Sequence, residues 1–316
     1  MLTLPDFKEK QILFIDTRAY IGETKIKFQN DNLVFLKDEK IINRASCHQI
    51  FSIFIIGEIT ITSGIIKNGL KYGISFFFLT TNYQVYAEIG AKGEANFLLR
   101  MRQYDISKEF EFKLAKQIVE NKIKNEFYLL NKINQFNNIK QKIKNISNLE
   151  ELRGIEGNAS KEFFKKYFRE IGWHRREPRT KVDIQNLLLD IGYTILFNFT
   201  DSLLRLYGFD TYKGVYHKLF FARKSLSSDI MEPMRCIINK ALIKAYNLKQ
   251  INEKDFVLKN GRFMLSWNNS FKYMRIFSEA IMDRKEDIYI YTQSYYRHIM
   301  NTKENDYKEF LIDKKY

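Results

Sequence analysis

Glu156 in G-I-E-G-N-A-S (154–160), His217 in G-V-Y-H (214–217), and Asp229 and Glu232 in S-L-S-S-D-I-M-E-P-M-R (225–235) are the residues whose types suit chemistry. One imidazole and several carboxylates form a donor set for a hard or borderline divalent cation, Mg²⁺ or Mn²⁺, with positions left for water. Asp229 and Glu232 stand three apart, which on a helix places them on one face about a turn apart. The chain around these acids is basic, at net +15. Carboxylates that gather a cation within a positive protein point to chemistry on a phosphodiester.

Each residue also has an ordinary alternative. First-turn acids complement a helix dipole, a histidine beside aromatics is often structural, and a glutamate between Gly154 and Gly157 reads as an exposed loop residue entering a helix. No spacing here forms a compact local motif such as H-E-x-x-H. The neighbouring charges favour a site. Eight bases lie between Lys161 and Lys181, including Lys165, Arg169, Arg175, Arg176, Arg179 and Lys181, against three acids, a local net of +5. Trp173 and His174 sit among them and could stack on a base. Arg223, Lys224 and Arg235 flank the Asp/Glu block, and these cations are expected to contact DNA phosphates.

The elements that must hold these residues change character along the chain. Residues 1–90 read as a small β-rich domain. Gln11–Ile15, Gln49–Ile56 and Ser75–Leu79 are short apolar runs, and Thr24–Gln29 alternates with period two. A turn at Asn30-Asp31-Asn32 leads into Leu33–Leu36, a hairpin pattern. Thr62–Tyr72 reads as a short helix capped by Thr62 or Ser63 and stopped at Gly73. Tyr86–Gly90 and the Gly90/Gly93 pair read as a linker, placed at 91–95. From residue 96 to 316 the period becomes helical, predicting a larger all-α domain and an α+β fold overall. Ile123, Phe127, Leu130, Ile133 and Phe136 share one helical face. Asn134–Asn145 reads as a helix end or connection, and Ser160–Ile171 as a helix. Asp183–Tyr207 is a long amphipathic helix stopped by Gly208, and Ser225–Ala245 another, with Pro233 requiring a start or a kink nearby.

Forty-five per cent hydrophobic content excludes a disordered chain. Two widely separated cysteines, Cys47 and Cys236, exclude a disulfide scaffold or zinc ribbon and fit a reducing cytosol. No signal peptide and no continuous apolar run long enough to span a bilayer is expected, so no membrane partner is expected either.

The blocks 154–168, 183–196, 208–217 and 225–235 resemble the CRISPR-associated integrase/endonuclease of spacer acquisition, and the β-rich N-terminus resembles it more loosely. The resemblance implies an N-terminal β domain that dimerises and a helical catalytic domain. It implies that Glu156, His217 and Glu232 are catalytic metal ligands, that Asp229 supports them, and that Asn186 orients a ligand. It further implies a homodimer that works with a small dimeric adaptor protein, double-stranded DNA fragments and CRISPR repeat DNA, in a prokaryotic cytoplasm. The expected reaction is attack of a fragment's 3′-hydroxyl on a phosphodiester of the array. The alternatives are a free-standing metal-dependent nuclease and a non-catalytic nucleic-acid-binding scaffold. The lysine-rich stretch 113–144 and the tail after Gln250 match no motif.

Overall fold

The computed structural model describes residues 3–19, 23–91, 96–173, 175–218, 220–301 and 307–313. The expected 91–95 linker falls largely on 92–95, and His174 is a single position; both lie outside the described residues.

An N-terminal turn of helix, α1 (Leu4–Lys8), leads into β1 (Gln11–Asp16), β2 (Thr24–Gln29), β3 (Asn32–Lys37), β4 (Lys40–Ser46) and β5 (Ile50–Ile56). Helix α2 (Ser63–Lys71), β6 (Ser75–Leu79) and β7 (Val85–Ile89) complete the β-rich part. Strands β2, β3 and β4 form an antiparallel sheet. Its two-residue turns have left-handed backbone at Asn30 and Asp31 and again at Asp38 and Glu39, which matches the right-handed strand twist. Sequence reading missed β4, because its K-I-I-N-R-A-S is mostly solvent-exposed and carries no buried period. Strand β5 pairs in parallel with β1 and β6, and β7 closes the sheet antiparallel to β6. Every residue of β5 is buried, as a strand covered on both faces requires. Ile53, Ile55 and Phe76 pack toward the smaller sheet and α2. Phe54, Ile56, Phe77 and Leu79 join the helical core. The expected linker at Tyr86–Gly90 is therefore mostly strand β7: its alternation is weak because its residues are only partly buried.

The helical part follows as α3 (Phe97–Asp105), α4 (Lys108–Leu129), α5 (Phe136–Asn145), α6 (Leu149–Tyr167), α7 (Ile184–Tyr207), α8 (Ser225–Met231) and α9 (Arg235–Asn247). A hairpin of β8 (Phe256–Lys259) and β9 (Arg262–Leu265) precedes α10 (Ser270–Met282) and α11 (Lys285–Met300). The chain thus has a β-rich N-terminal part followed by a helical C-terminal part. The apolar face 123–136 is not one helix. Helix α4 ends at Leu129, Asn131 turns the chain with left-handed backbone, and α5 starts at Phe136. The Asn-rich stretch is thus α5 itself, whose Phe136 and Ile143 are buried. Helix α7 is long and apolar enough to cross a membrane by length and composition, but 83% of that stretch is buried inside the protein. It is the central helix of the core.

The tail after Gln250 has a structural role. Residues 307–313 run along α4, where Asn121 Nδ2 donates to Phe310 O (2.8 Å) and Asn121 Oδ1 accepts from Phe310 N (2.9 Å). Asn125 accepts from Ile312 N (2.8 Å) and donates to Pro233 O (3.1 Å). These bonds fix α4 against the turn that carries Glu232.

Candidate active site

Helix α6 begins at Asn148, whose side chain accepts from Glu150 N (3.0 Å) and Glu151 N (2.9 Å), a strong N-cap. The helix therefore starts eleven residues before Ser160, and Glu156 sits in mid-helix, not in a loop. Sequence reading placed a loop here because Gly154 and Gly157 are poor helix formers. A Cβ at either would meet nothing within 4 Å, so packing does not demand glycine. The two instead leave bare backbone on either side of Glu156.

Glu232 lies where Pro233 breaks one long helix into α8 and α9. Residues Glu232–Met234 form a 3₁₀ turn, since proline cannot donate to the preceding turn. Asp229 precedes the break and is fully buried. Its carboxylate accepts from Val215 N (2.7 Å), Tyr216 N (2.9 Å) and His217 N (3.0 Å) and lies 2.6 Å from His217 Nδ1. A carboxylate that already takes three N–H donors acts as acceptor, so Nδ1 carries the proton and Nε2 presents its lone pair. Gly214 makes this clasp possible, because a Cβ there would fall 2.6 Å from Asp229 Oδ2.

Lys122 of α4 joins the acids. Its ammonium pairs with Glu156 and stands 2.9 Å from Glu232 Oε2. That oxygen is buried and has no partner at hydrogen-bond angles. Arg235 pairs with Glu232 Oε1 at 3.0 Å. Burial raises the Glu232 pKa, but Arg235, Lys122 and His217 outweigh it and push it down to about 2. A fourth acid, Glu126, lies one turn along α4 from Lys122. Ser160 Oγ donates to its Oε1 (3.0 Å) and also to Glu156 Oε1 (3.3 Å), while Glu126 Oε2 is buried without a partner. Burial, with the charges of Glu156 and Glu232, raises Glu126 to about 7 against the pull of Lys122 and Ser160.

Glu156 and Glu232 thus meet on one ammonium, and His217 is near enough to act on Glu232. Among the described residues no three His, Cys, Asp or Glu side chains close around a single point. Lys122 stands between the two carboxylates, because buried acids need a counter-charge and α4 brings the nearest one. Two carboxylates, an imidazole with a free Nε2, and buried oxygens without hydrogen bonds on Glu232 and Glu126 form a donor set that fits a divalent cation.

Other expected residues are engaged inside the fold. Asn186 is fully buried. It accepts from Arg176 Nη1 (2.7 Å) and Glu177 N (2.7 Å) and donates to Asp183 Oδ2 (2.7 Å) and Arg175 O (3.1 Å), which shapes the turn before α7. Trp173 is buried against Phe164 and Phe168 and donates to Asp183, so it offers no face to a base. Four of the expected DNA-binding cations are engaged inside the fold. Arg176 pairs with Asp190 (2.5 Å), Lys181 donates to Asn82 O (2.8 Å), Lys224 pairs with Glu88 and Asp201, and Arg235 with Glu232. Acids within the fold draw Arg176, Lys224 and Arg235 inward, while Lys181 is taken by a backbone carbonyl. Lys165, Arg169, Arg175, Arg179 and Arg223 remain exposed. Lys122 and Glu126 were missed, since a Lys–Glu pair at i,i+4 in a lysine-rich helix looks like any solvated pair.

Glu126 gives a pH test. The folded protein holds its proton more tightly than the unfolded chain, whose glutamates titrate near 4.5. Its contribution to stability is therefore full below about 4.5 and is lost as pH rises through about 7. Glu232 acts oppositely and in a lower window, losing its contribution as pH falls from about 4.5 toward 2. Melting temperatures between pH 5 and 8 should fall with rising pH more steeply in wild type than in Glu126→Gln; parallel curves would mean that Glu126 is hydrated and ionised throughout.

Residues 20–279 match the family model described as CRISPR associated protein Cas1. The CRISPR-associated endonuclease Cas1 1 of Thermodesulfovibrio yellowstonii is 24% identical over 315 residues, covering 92% of this chain and 98% of that protein. A casposase bound to its integration product has the same fold, with a TM-score of 0.82 at 19% identity over 96% of this chain and 95% of that one. A chain of a Cas6-RT-Cas1–Cas2 complex superposes with a TM-score of 0.77 at 24% identity, over 96% of this chain and 36% of the longer one. At such identities the superpositions speak for the fold, while the family model, spanning most of the sequence, places the protein: the chain belongs to the Cas1 family of CRISPR-associated proteins.

Proposed function

We propose that this protein is a metal-dependent DNA integrase and endonuclease that inserts captured DNA fragments as new spacers into a CRISPR array. The observation that carries this reading is the meeting of Glu156 and Glu232, from two separate elements, on one buried cation beside an imidazole whose Nδ1 is held by Asp229. The similar proteins, an endonuclease and a casposase bound to its integration product, support the same chemistry.

Glu156, Glu232 and His217 Nε2 would hold Mg²⁺ or Mn²⁺, which supplies Lewis-acid stabilisation of charge developing on the phosphoryl oxygens. Asp229 keeps His217 in the tautomer that presents Nε2. Lys122 and Arg235 balance the buried acids and set a positive field where the phosphodiester enters. The bare backbone at Gly154 and Gly157 lets a nucleic-acid strand approach Glu156 closely. The exposed Lys165, Arg169, Arg175, Arg179 and Arg223 hold phosphates and so position the strands. In the reaction a 3′-hydroxyl oxygen of the fragment bonds to phosphorus and gives up its proton to solvent, while the bond from phosphorus to the array's 3′-oxygen breaks and that oxygen takes up a proton from solvent as a new 3′-hydroxyl.

The working unit we propose is a homodimer, assembled with a small dimeric adaptor on fragment and repeat DNA in the cytoplasm. The Cas1–Cas2 complex among the structural neighbours supports such a partner. The test supplies a labelled 3′-hydroxyl donor and a supercoiled array plasmid with Mn²⁺ or Mg²⁺, with and without the adaptor. Label joined to the plasmid is the expected result. Nicked plasmid with no joined label would identify a nuclease that uses water, and binding without any bond breaking a scaffold.

A further inference from the structure

Between His217 and Ser225 the chain makes a short loop whose base is tightly held. His217 is clasped by Asp229, Ser225 Oγ donates to Lys218 O (3.2 Å), and Lys224 is locked to Glu88 and Asp201. At the tip Arg223 N donates to Phe220 O (3.1 Å), and Ala222 takes a left-handed backbone with φ of 56°. This turn presents Phe220 and Phe221 to solvent, 76% and 93% exposed, the highest values for large apolar side chains among the described residues. Lys218 and Arg223, both exposed, flank them.

Two adjacent phenyl rings held out on a braced turn, between two cations, call for a partner with flat apolar faces and negative charge together. We propose that Phe220 and Phe221 form a stacking platform for unpaired nucleobases of the DNA strand that reaches the active site, which rests on the integrase reading above. A duplex hides its base faces in its own stack, so the ligand is single-stranded. Lys218 and Arg223 take the phosphates on either side. Three residues of chain keep the Cα of Phe220 within about 11 Å of that of His217, so bases stacked on the loop belong to the nucleotides next to the reacting phosphodiester. A membrane surface fits less well, since no basic amphipathic helix accompanies the rings, and a second copy of this chain would have to bring an apolar counter-patch past the two cations.

The test uses the full-length protein and a duplex with a single-stranded 3′ tail carrying 2-aminopurine, beside the same duplex with blunt ends. Wild type is expected to bind the tailed duplex more tightly and to change the 2-aminopurine fluorescence. Phe220→Leu and Phe221→Leu should each weaken tailed binding about tenfold and abolish the fluorescence change. Blunt-duplex affinity and melting temperature should stay at wild-type values, because both rings are largely exposed. Phe221→Trp should retain both signals, which separates stacking from simple apolarity. The platform is overturned if the leucine variants match wild type on tailed DNA, if they lose blunt and tailed binding alike, or if they change only the oligomeric state or binding to anionic vesicles. The two readings fail separately. Strand transfer that persists without any dependence on Phe220 and Phe221 removes the platform alone, whereas ring-dependent stacking without strand transfer removes the integrase reading alone.

Discussion

Glu156→Ala, His217→Ala and Glu232→Ala should each lower metal-dependent strand transfer by more than about a hundredfold, the upper range for residues that merely support a ligand, while DNA affinity stays near wild type. The separation follows from where charge resides. DNA affinity depends on cations at the surface, and Lys165, Arg169, Arg175, Arg179 and Arg223 are untouched by these changes. Removing an acid next to Lys122 frees positive charge, so binding would tend to strengthen. The fold has local reasons to survive. In His217→Ala the Asp229 carboxylate keeps three backbone donors. In Glu156→Ala, Lys122 keeps Glu232, and in Glu232→Ala it keeps Glu156. Strand transfer on gels and fluorescence anisotropy with the same DNA give the two numbers. Mn²⁺ titration of each variant adds a third, and weaker metal binding should accompany the lost activity. A parallel loss of DNA affinity in all three variants would count against these residues as metal ligands.

The largest expected loss of stability lies away from the reaction. Asp201 of α7 is fully buried and accepts from Arg205 Nε (2.7 Å), Ser227 Oγ (2.8 Å) and Lys224 Nζ (3.0 Å). Glu88 of β7 pairs with the same two cations, Arg205 at 2.6 Å and Lys224 at 2.5 Å. Two acids and two bases thus tie the edge of the N-terminal sheet to the helical core and brace the loop that carries Phe220 and Phe221. Asp201→Ala leaves two cations sharing one acid. Breaking a buried pair costs about 3–5 kcal/mol, and the lower end applies because Arg205, Lys224 and Glu88 also line a groove of about 1030 Å³. Urea unfolding at unchanged m-value measures it. A loss below about 1 kcal/mol would mean that water screens the cluster as it does a surface ion pair.

Much of the architecture is legible in local pattern. The fully apolar β5, the alternation of β2 with its Asn-Asp turn, and the apolar face and Gly208 stop of α7 each state their own periodicity or backbone preference. Where local pattern misled, a tertiary contact or a non-local cap explains it. Helix α6 runs through two glycines because Asn148 caps it and α4 packs along it. Asn186 and Trp173 look available in the sequence but are consumed by the turn before α7.

The sequence by itself determined which side chains were candidates for chemistry, the net positive charge, and the change from strand to helix near residue 96. Only the tertiary structure decided which charges face one another. Glu156 and Glu232 lie 76 positions apart, and the cation they share, Lys122, comes from a third helix that no pattern links to either. Three of the nine cations expected at DNA, Arg176, Lys224 and Arg235, turned inward for the same physical reason. A buried carboxylate must find a counter-charge, and which base is nearest depends on helix packing, which the spacing of residues along the chain does not encode.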